Sequence, residues 1–266
     1  MKRLRVLFLF FYGFLLAVGL GGCNGHSDGT SGGVSGGAHE TRGATGARAA
    51  ATAGLSAATD SLWKAYEQVY RDTTRSAGEK LAANRAMLQR LEGGPDSLRA
   101  KLLVQRIRMH RRARAMDSTL HYTGKLLELG REAPDSAVMA DAHYRLGFYL
   151  RAAGQADSSL GHYYRARELF VGLQDSARAG IMSLNMANLL NTQGNYQEAE
   201  DIAVEGLKFI EGTERTRYIS GLYNALAIAT KELKNYEDAL SWYDKALGLS
   251  ADSLDRLNIA NNKAVV

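Results

Sequence analysis

Three segments of this chain can be aligned without gaps, and each begins 40 residues after the one before it. They cover residues 142–170, 182–210 and 222–250. Small residues recur at equivalent places in all three, and each segment has a turn residue near its middle, at Gly154, Gly194 and Lys234. A fixed period of this length indicates a repeat architecture, in which each unit buries its apolar face against its neighbours.

The spacing within each segment predicts two antiparallel helices, A and B, joined by a short turn. The alternating apolar pattern of a β-strand does not occur. Small side chains are expected where helix A crosses helix B, because a larger one would push the helices apart, and aromatic residues fill the spaces beside them. The residues predicted to pack in this way are Gly147, Ala187, Ala227, Ala199, Ala239, Tyr196, Tyr236 and Tyr243.

This pattern resembles the tetratricopeptide repeat, in which Leu-Gly is followed by a Gly-x-Tyr turn and then by Ala, an aromatic residue and Ala. The third segment resembles it best, through Leu226, Ala227, Tyr236, Ala239, Tyr243 and Ala246. The period is 40 rather than 34, no Trp opens helix A, and the Pro that usually follows helix B is missing. The resemblance implies an all-α fold, a right-handed superhelical array of antiparallel helix hairpins.

Capping residues extend the predicted array beyond the three aligned segments. Asp-Ser pairs precede apolar runs at 60–61, 96–97, 135–136, 175–176 and 252–253. Both side chains accept hydrogen bonds from the free backbone N–H groups of a helix start. We therefore predict a divergent helical hairpin at 57–94 and a repeat region at 95–266, made of units 95–134, 135–174, 175–213, 214–251 and an incomplete repeat 252–266.

The last predicted repeat has a helix A without a helix B or a polar cap. A repeat array needs such a cap, because its end repeat otherwise exposes an apolar face. We therefore expect the natural protein to continue beyond Val266. A short terminus that dimerises through this face is the alternative.

Residues 1–22 are predicted to be a bacterial lipoprotein signal peptide. After a basic start, 6–20 is an apolar run of 15 residues, shorter than the roughly 20 that span a bilayer. The following 20–23, Leu-Gly-Gly-Cys, resembles a lipobox, which implies that Cys23 becomes the lipidated first residue. An uncleaved membrane anchor is the alternative. We expect an exported protein of the bacterial cell envelope, lipid-anchored and facing the periplasm or the cell exterior.

Residues 23–56 are predicted to be the lipidated cysteine followed by a flexible linker rich in Gly, Ser, Ala and Thr. From 24 onward the segment has no aromatic residue, and Val34 and Leu55 are its only large aliphatic ones. Such a composition cannot bury enough apolar surface to offset the entropy of ordering. We expect a coil that holds the repeats about 30 Å from the lipid anchor.

No motif for catalysis, metal binding or a cofactor occurs in the sequence. None of the six His residues lies in an HExxH motif, a single Cys cannot form a zinc cluster, and no G-x-S-x-G is present. His143 and His162 are expected to have packing or surface roles. Without the signal peptide the chain carries 30 basic and 28 acidic residues, a net +2, which argues against nucleic-acid binding. We predict a non-enzyme without cofactor or metal.

The resemblance implies that the A helices line a concave groove for a peptide or protein partner. The predicted groove residues are Lys101, Arg108, Arg112, Arg145, Arg151, Asn185, Asn188, Asn224 and Lys231. Asn amides can bind an extended peptide backbone, and Arg can bind carboxylates or phosphates. Residues 99–114 hold seven Lys or Arg and no acid, which favours an acidic segment or an anionic polymer. A solvated helix face near anionic lipid is the alternative.

The expected function is that of a membrane-tethered interaction scaffold. One alternative is the sensor fragment of a transmembrane histidine kinase or transcription regulator, which the unfinished end favours. A second is a helical-repeat carbohydrate-uptake lipoprotein, which would need exposed clustered aromatic residues, whereas the Tyr residues here fall mostly at packing positions. The sequence leaves the oligomeric state open.

Overall fold

Apolar residues at three- and four-residue intervals fold residues 57–266, which the computed structural model describes, into α-helices joined by short connections. The signal peptide, the lipidation of Cys23 and the linker lie outside the described residues and stay predictions. The helices are α1 (57–71 within the described residues), α2 (Ala77–Arg90), α3 (Asp96–Arg112), α4 (Met116–Glu132), α5 (Ser136–Ala152), α6 (Ala156–Gly172), α7 (Ser176–Gln193), α8 (Tyr196–Ile210), α9 (Thr216–Glu232), α10 (Tyr236–Leu249) and α11 (Ser253–Lys263).

Successive helices from α2 onward pack against each other, so that contacts run from one neighbour to the next along the array. Helices α3 to α10 form four A–B hairpins, each shifted by 40 residues from the one before. The described residues contain no β-strand. The predicted all-α array of antiparallel hairpins is confirmed.

The turn from helix A to helix B has the same geometry in all four hairpins. Its first residue adopts a left-handed conformation, with φ of 57° at Arg114, 78° at Gly154, 79° at Gly194 and 68° at Lys234. The next N–H bonds a carbonyl five residues back, as in the 2.9 Å bond from Gln155 to Leu150. This bond satisfies a carbonyl at the helix end, as in a Schellman motif. It also fixes the start of each helix B.

Small residues lie where the helices of a hairpin cross. A Cβ added to Gly147 would lie 2.8 Å from the ring of Tyr163, which is too close for any side chain. Tyr243 is fully buried, and so are the four alanines that were predicted to pack, Ala187, Ala199, Ala227 and Ala239. Helix A and helix B can therefore approach closely enough to bury an aromatic ring between them.

Tyr236 differs from the other predicted packing residues. Tyr196 is half-buried and shares a shallow depression with Leu233 at the end of the following helix A. Tyr236 is equivalent to Tyr196 one repeat later, yet it is 49% exposed. Tyr236 is therefore less covered than Tyr196 by the described residues.

The acidic caps divide into two groups. Asp135, Asp175 and Asp252 each accept a hydrogen bond from a backbone N–H of the helix they precede. Asp96 is instead the first residue of α3, after Pro95 as the N-cap, and Asp60 lies inside α1, so the capping role predicted for these two is wrong. A negative charge in the first turn of α3 still favours the helix.

Candidate partner-binding face

The odd-numbered helices line one face of the described array, here called the A face. Three depressions on it contain most of the predicted groove residues. We name them by their linings as the basic depression, the apolar pocket and the asparagine depression.

The basic depression has a volume of about 360 Å³ and lies between α3 and α5. Its lining is Arg108, Arg111, Arg112, Tyr144, Arg145, Phe148 and Tyr149. The three α3 arginines are exposed, and none forms an ion pair with a described residue. Unpaired guanidinium groups so close together produce a positive potential that attracts carboxylates or phosphates.

Arg145 has a different role in this depression, because it is already paired. Its Nε donates to Asp141 at 2.7 Å, one helical turn earlier on α5. Burial alone would lower the pKa of Arg145, but the hydrogen bond and charge of Asp141 raise it above its usual value. Arg145 is therefore a fixed cation on the wall, while the α3 arginines remain available to a ligand.

The apolar pocket adjoins the basic depression, because Arg108 lines both. It has a volume of about 520 Å³. The residues that line it are Trp63, Glu67, Ser97, Ala100, Lys101, Val104, Gln105, Arg108, Leu126, Asp135, Ala137, Val138 and Asp141. Its size falls in the usual range for ligand pockets, and apolar groups make up most of its lining.

The asparagine depression lies between α7, α9 and α11 and has a volume of about 360 Å³. Its lining is Leu184, Asn188, Arg217, Tyr218, Ser220, Gly221, Asn224, Asp255, Asn258 and Ile259. Asn224 Oδ1 accepts from Asn262 at 3.3 Å, and Arg217 pairs with Asp255 at 3.2 Å. The amide of Asn188 bonds to no described residue, so it is available to a peptide backbone.

Three predicted groove residues lie outside these depressions. Asn185 donates to the Ile181 carbonyl of its own helix at 3.0 Å, which uses one of its two N–H donors. Lys231 pairs with its neighbour Glu232 at 3.0 Å. Arg151 is exposed but lines none of the three depressions. The predicted set therefore forms separate clusters, basic at α3 and α5 and amide-rich at α7 and α9.

The spacing of the A helices follows from side-chain size at two positions. Leu126 of α4 lies in the apolar pocket between α3 and α5, whereas the equivalent residue of α8 is Gly206. A Cβ on Gly206 would lie 2.7 Å from Ser183 of α7 and 2.8 Å from Leu222 of α9. A glycine here lets α7 and α9 pack directly, and a leucine holds α3 and α5 apart.

A second glycine acts at the same contact. Gly221 of α9 faces Leu184 of α7, and a Cβ there would lie 3.0 Å from a methyl group of Leu184. The equivalent residues in α3, α5 and α7 are Lys101, Asp141 and Ile181. These larger side chains leave the earlier A helices further apart. The apolar pocket and the basic depression are thus a consequence of residue size on both layers of the array.

A contact between two histidines was missed by the sequence prediction. His143 Nδ1 lies 2.8 Å from His162 Nδ1, between α5 and α6, and both rings are half-buried. Burial, followed by the charges of His162, Arg131 and Arg165, lowers the pKa of His143 to about 4. Burial also lowers the pKa of His162. Both rings are therefore neutral near pH 7, and one Nδ1 donates to the other. Within the described residues, no group of three or more His, Cys, Asp or Glu side chains could hold a metal ion.

Two segments of the chain match the family model of the tetratricopeptide repeat, at 184–212 and 221–252. They lie in the α7–α8 and α9–α10 hairpins. No curated protein sequence matches the chain.

Solved structures of helical-repeat proteins resemble the array. BtubC from P. vanneervenii is 18% identical over 65% of this chain and 72% of that one, with a TM-score of 0.59. The apo form of RapI is 14% identical over 77% and 74%, with a TM-score of 0.64. YrrB, described as a TPR protein with an unusual peptide-binding site, is 19% identical over 70% and 84%, with a TM-score of 0.50.

The fold and these likenesses place the described residues among α-solenoids built from helical hairpins. The two matched segments make the assignment more specific. The array contains tetratricopeptide repeats in its α7–α8 and α9–α10 hairpins. No helix in the described residues is long and apolar enough to span a membrane.

Proposed function

We propose that this protein is an exported, lipid-tethered scaffold that binds an acidic segment of a protein partner on its A face. The observation that supports the acidic character is the set of three exposed arginines in the basic depression, Arg108, Arg111 and Arg112, which pair with no described acid. Solvent-exposed cations repel one another when clustered, so a carboxylate ligand relieves that repulsion. Interaction without catalysis is also typical of this class of repeat protein.

The amide groups of the asparagine depression support binding to an extended peptide. Asn188 has an unused amide, and Asn224 keeps its N–H donors while its oxygen accepts from Asn262. Such groups can bond the backbone of any sequence, whereas arginines select charge. In this proposal the α3–α5 end therefore selects the partner, and the α7–α9 end holds its backbone.

The basic depression can be tested with a fluorescent peptide of three glutamates flanked by Gly and Ser. Fluorescence anisotropy at low salt measures its affinity. The double variant Arg108→Glu with Arg112→Glu is expected to weaken binding at least tenfold, because two favourable charge pairs become repulsive. Binding by the natural protein should also weaken as salt is added.

A matched control for this experiment is Arg85→Glu with Arg90→Glu. Both arginines are exposed on α2, and they change the net charge by the same amount without lining the A-face depressions. We expect this control to bind nearly as well as the natural protein. Equal binding by the two double variants would refute the proposal, because the net charge alone would then account for the affinity.

Lipid tethering is the part of the proposal that depends on residues 1–56. Cys23 is the only cysteine of the chain and follows a lipobox-like Leu-Gly-Gly. We expect the protein expressed in a bacterium to partition into the detergent phase, and Cys23→Ser to leave it unlipidated. Mass spectrometry of the mature N-terminus provides the measurement. An unprocessed N-terminus in the natural chain would contradict lipid tethering.

A further inference from the structure

The apolar pocket has an apolar floor and a rim with free donors. Side chains of Ala100, Val104 and Leu126 form part of the floor, and Trp63 of α1 contributes a wall. Lys101 Nζ lies 5.9 Å from the Trp63 ring centroid, a cation–π contact that keeps the ammonium group at the rim. The pocket can therefore accept an apolar side chain beside an anionic group.

The acids of this pocket are already engaged. Glu67 pairs with Arg71 at 3.1 Å, and Asp141 pairs with Arg145. Asp135 accepts from two backbone N–H groups at the start of α5. Because these charges are compensated, they neither repel an anionic ligand strongly nor attract a cationic one.

The donors of the pocket, by contrast, are available. Lys101 and Arg108 make no ion pair with any residue between 57 and 266. Gln105 accepts a 2.6 Å hydrogen bond from the Tyr66 hydroxyl through its carbonyl oxygen, which leaves its amide N–H groups for a ligand. The free groups around the apolar floor are thus cations and N–H donors.

A buried polar network holds the Trp63 wall in place. Tyr66 of α1 donates to Gln105 of α3 and accepts from Asn84 of α2 at 2.8 Å. Asn84 also donates to the Leu102 carbonyl at 3.1 Å. These bonds join three helices in a buried setting, where each hydrogen bond is more costly to break. The divergent hairpin α1–α2 is therefore fixed against the repeats, and its tryptophan is part of the binding face.

We infer that the partner's acidic segment carries a large aliphatic side chain next to its carboxylates, and that this side chain enters the apolar pocket formed by α1, α3 and α5. The inference rests on the proposed function, because the carboxylates occupy the adjoining basic depression. Arg108 lines both sites and positions the two parts of the ligand next to each other. The divergent hairpin α1–α2 thus forms the end of the array and also contributes to ligand specificity.

Two labelled peptides test this inference by fluorescence anisotropy. One carries three glutamates with a leucine on each side, separated by glycine, so that either chain direction can place a leucine in the pocket. The other has serine in place of both leucines. We expect the full-length protein to bind the leucine peptide about tenfold more tightly, since burying part of a leucine side chain contributes that much.

Ala137→Phe places a ring in the pocket from an exposed position at the start of α5. This variant is expected to lose the leucine preference and to bind the serine peptide unchanged, which also shows that it is folded. Ala86→Phe adds the same ring to the exposed face of α2 and should keep the preference. A preference that survives in Ala137→Phe would overturn the inference.

Tryptophan fluorescence gives a second measurement that needs no pocket variant. The chain has two tryptophans, so Trp242→Phe leaves Trp63 as the reporter. The leucine peptide should shift the Trp63 emission to shorter wavelength, because it excludes water from the ring, and the serine peptide should not. Equal affinity for both peptides, or no shift, overturns the inference while acidic binding stands. Failure of both peptides to bind overturns the proposed function as well.

Discussion

Helices α7 and α9 pack directly against each other, whereas α3 and α5 are separated by the apolar pocket and the basic depression. Both pairs belong to hairpins of the same period, and the four A helices have the same length to within one residue. The difference arises from two glycines, Gly206 and Gly221. The residue equivalent to Gly206 in α4 is Leu126, and the residues equivalent to Gly221 in α3 and α5 are Lys101 and Asp141.

This comparison shows that one repeat geometry can produce two kinds of surface. Close packing buries apolar area between A helices and leaves an amide-lined depression. Wider spacing opens a cavity, and charged side chains at its edge then have room to meet a ligand. Residue size in the second layer therefore determines where on the A face a side chain can be bound.

The largest effect is expected from Leu126→Ala. Leu126 is 1% exposed, so truncation removes buried apolar contacts and leaves a cavity. We expect the free energy of unfolding to fall by about 2–5 kcal/mol, and the leucine preference of the apolar pocket to fall as α3 and α5 close. Urea denaturation measures the first effect. Leu254→Ala, at a residue that is 65% exposed, is the control, and an equal loss in both variants would contradict our account of the spacing.

The reciprocal change is Gly206→Ala in the closely packed region. Its Cβ would meet Ser183 and Leu222 at under 3 Å, and we expect a loss of about 1–3 kcal/mol from overpacking. Gly161→Ala, in the equivalent type of helix but with no atom within 4 Å, should instead gain up to about 1 kcal/mol. Thermal unfolding compares the two. If Gly206→Ala were also stabilising, α7 and α9 would not be limited by this contact.

A pH series separates the α5–α6 hairpin from the α7–α8 hairpin. His143 and His162 have lowered pKa values when folded, so the unfolded chain takes up protons first as the pH falls. Their contribution is full above about pH 6.5 and is lost progressively toward pH 4. We expect a modest loss, since both rings are half-exposed to water and screened by it.

The equivalent positions of the α7–α8 hairpin supply the control for this series, because they hold Ser183 and Ile202 in place of the two histidines. The double variant His143→Ser with His162→Ile should reduce the pH dependence between 6.5 and 4, and the remainder includes His110, whose pKa is lowered by burial and by the charge of Arg106. Denaturation midpoints at pH 7.5 and pH 4.5 measure it. An unchanged slope in this variant would show that other groups cause the loss.

The smallest effect is expected for a hydrogen bond between the closely packed helices. Asn191 Nδ2 of α7 donates to the Ala225 carbonyl of α9 at 2.8 Å. Asn191→Ala should therefore cost about 1 kcal/mol. Arg151 is the equivalent residue of α5 and is exposed, so Arg151→Ala should cost almost nothing. Similar values for both variants would mean that the α7–α9 bond adds no net stability.

The fold class could be predicted because a 40-residue period and small residues at fixed offsets are local properties of the sequence. Gly147 and Tyr163 illustrate this, since the small residue and the ring meet within one hairpin. Whether Tyr196 or Tyr236 is covered depends on the following helix A, which equivalent positions alone cannot show. Tyr236 is accordingly more exposed than Tyr196.

The sequence predicted the types of residue that line the candidate site, but not which of these residues share a depression. Nine groove residues were placed on one face, and the structure places Arg108 and Arg112 in one depression and Asn188 and Asn224 in another. Trp63 was missed as a wall residue because it precedes the recognisable repeats.

A signal for the His143–His162 contact was present in the sequence. Ser159 donates to the Gly147 carbonyl at 2.7 Å, near the crossing of the two helices. His143 lies four residues before Gly147, and His162 lies three after Ser159. Antiparallel helices bring such positions together. Pairing residues outward from the crossing would have predicted the contact.

The recurring left-handed turn at Arg114, Gly154, Gly194 and Lys234 limits how this chain can change length. One residue inserted between two such turns rotates everything after it by about 100° and carries a buried face into water. The connection 211–215 is two residues longer than 133–135, but α8 is two residues shorter than α4, so the 40-residue period is kept. Viable descendants of this sequence should therefore gain or lose whole hairpins.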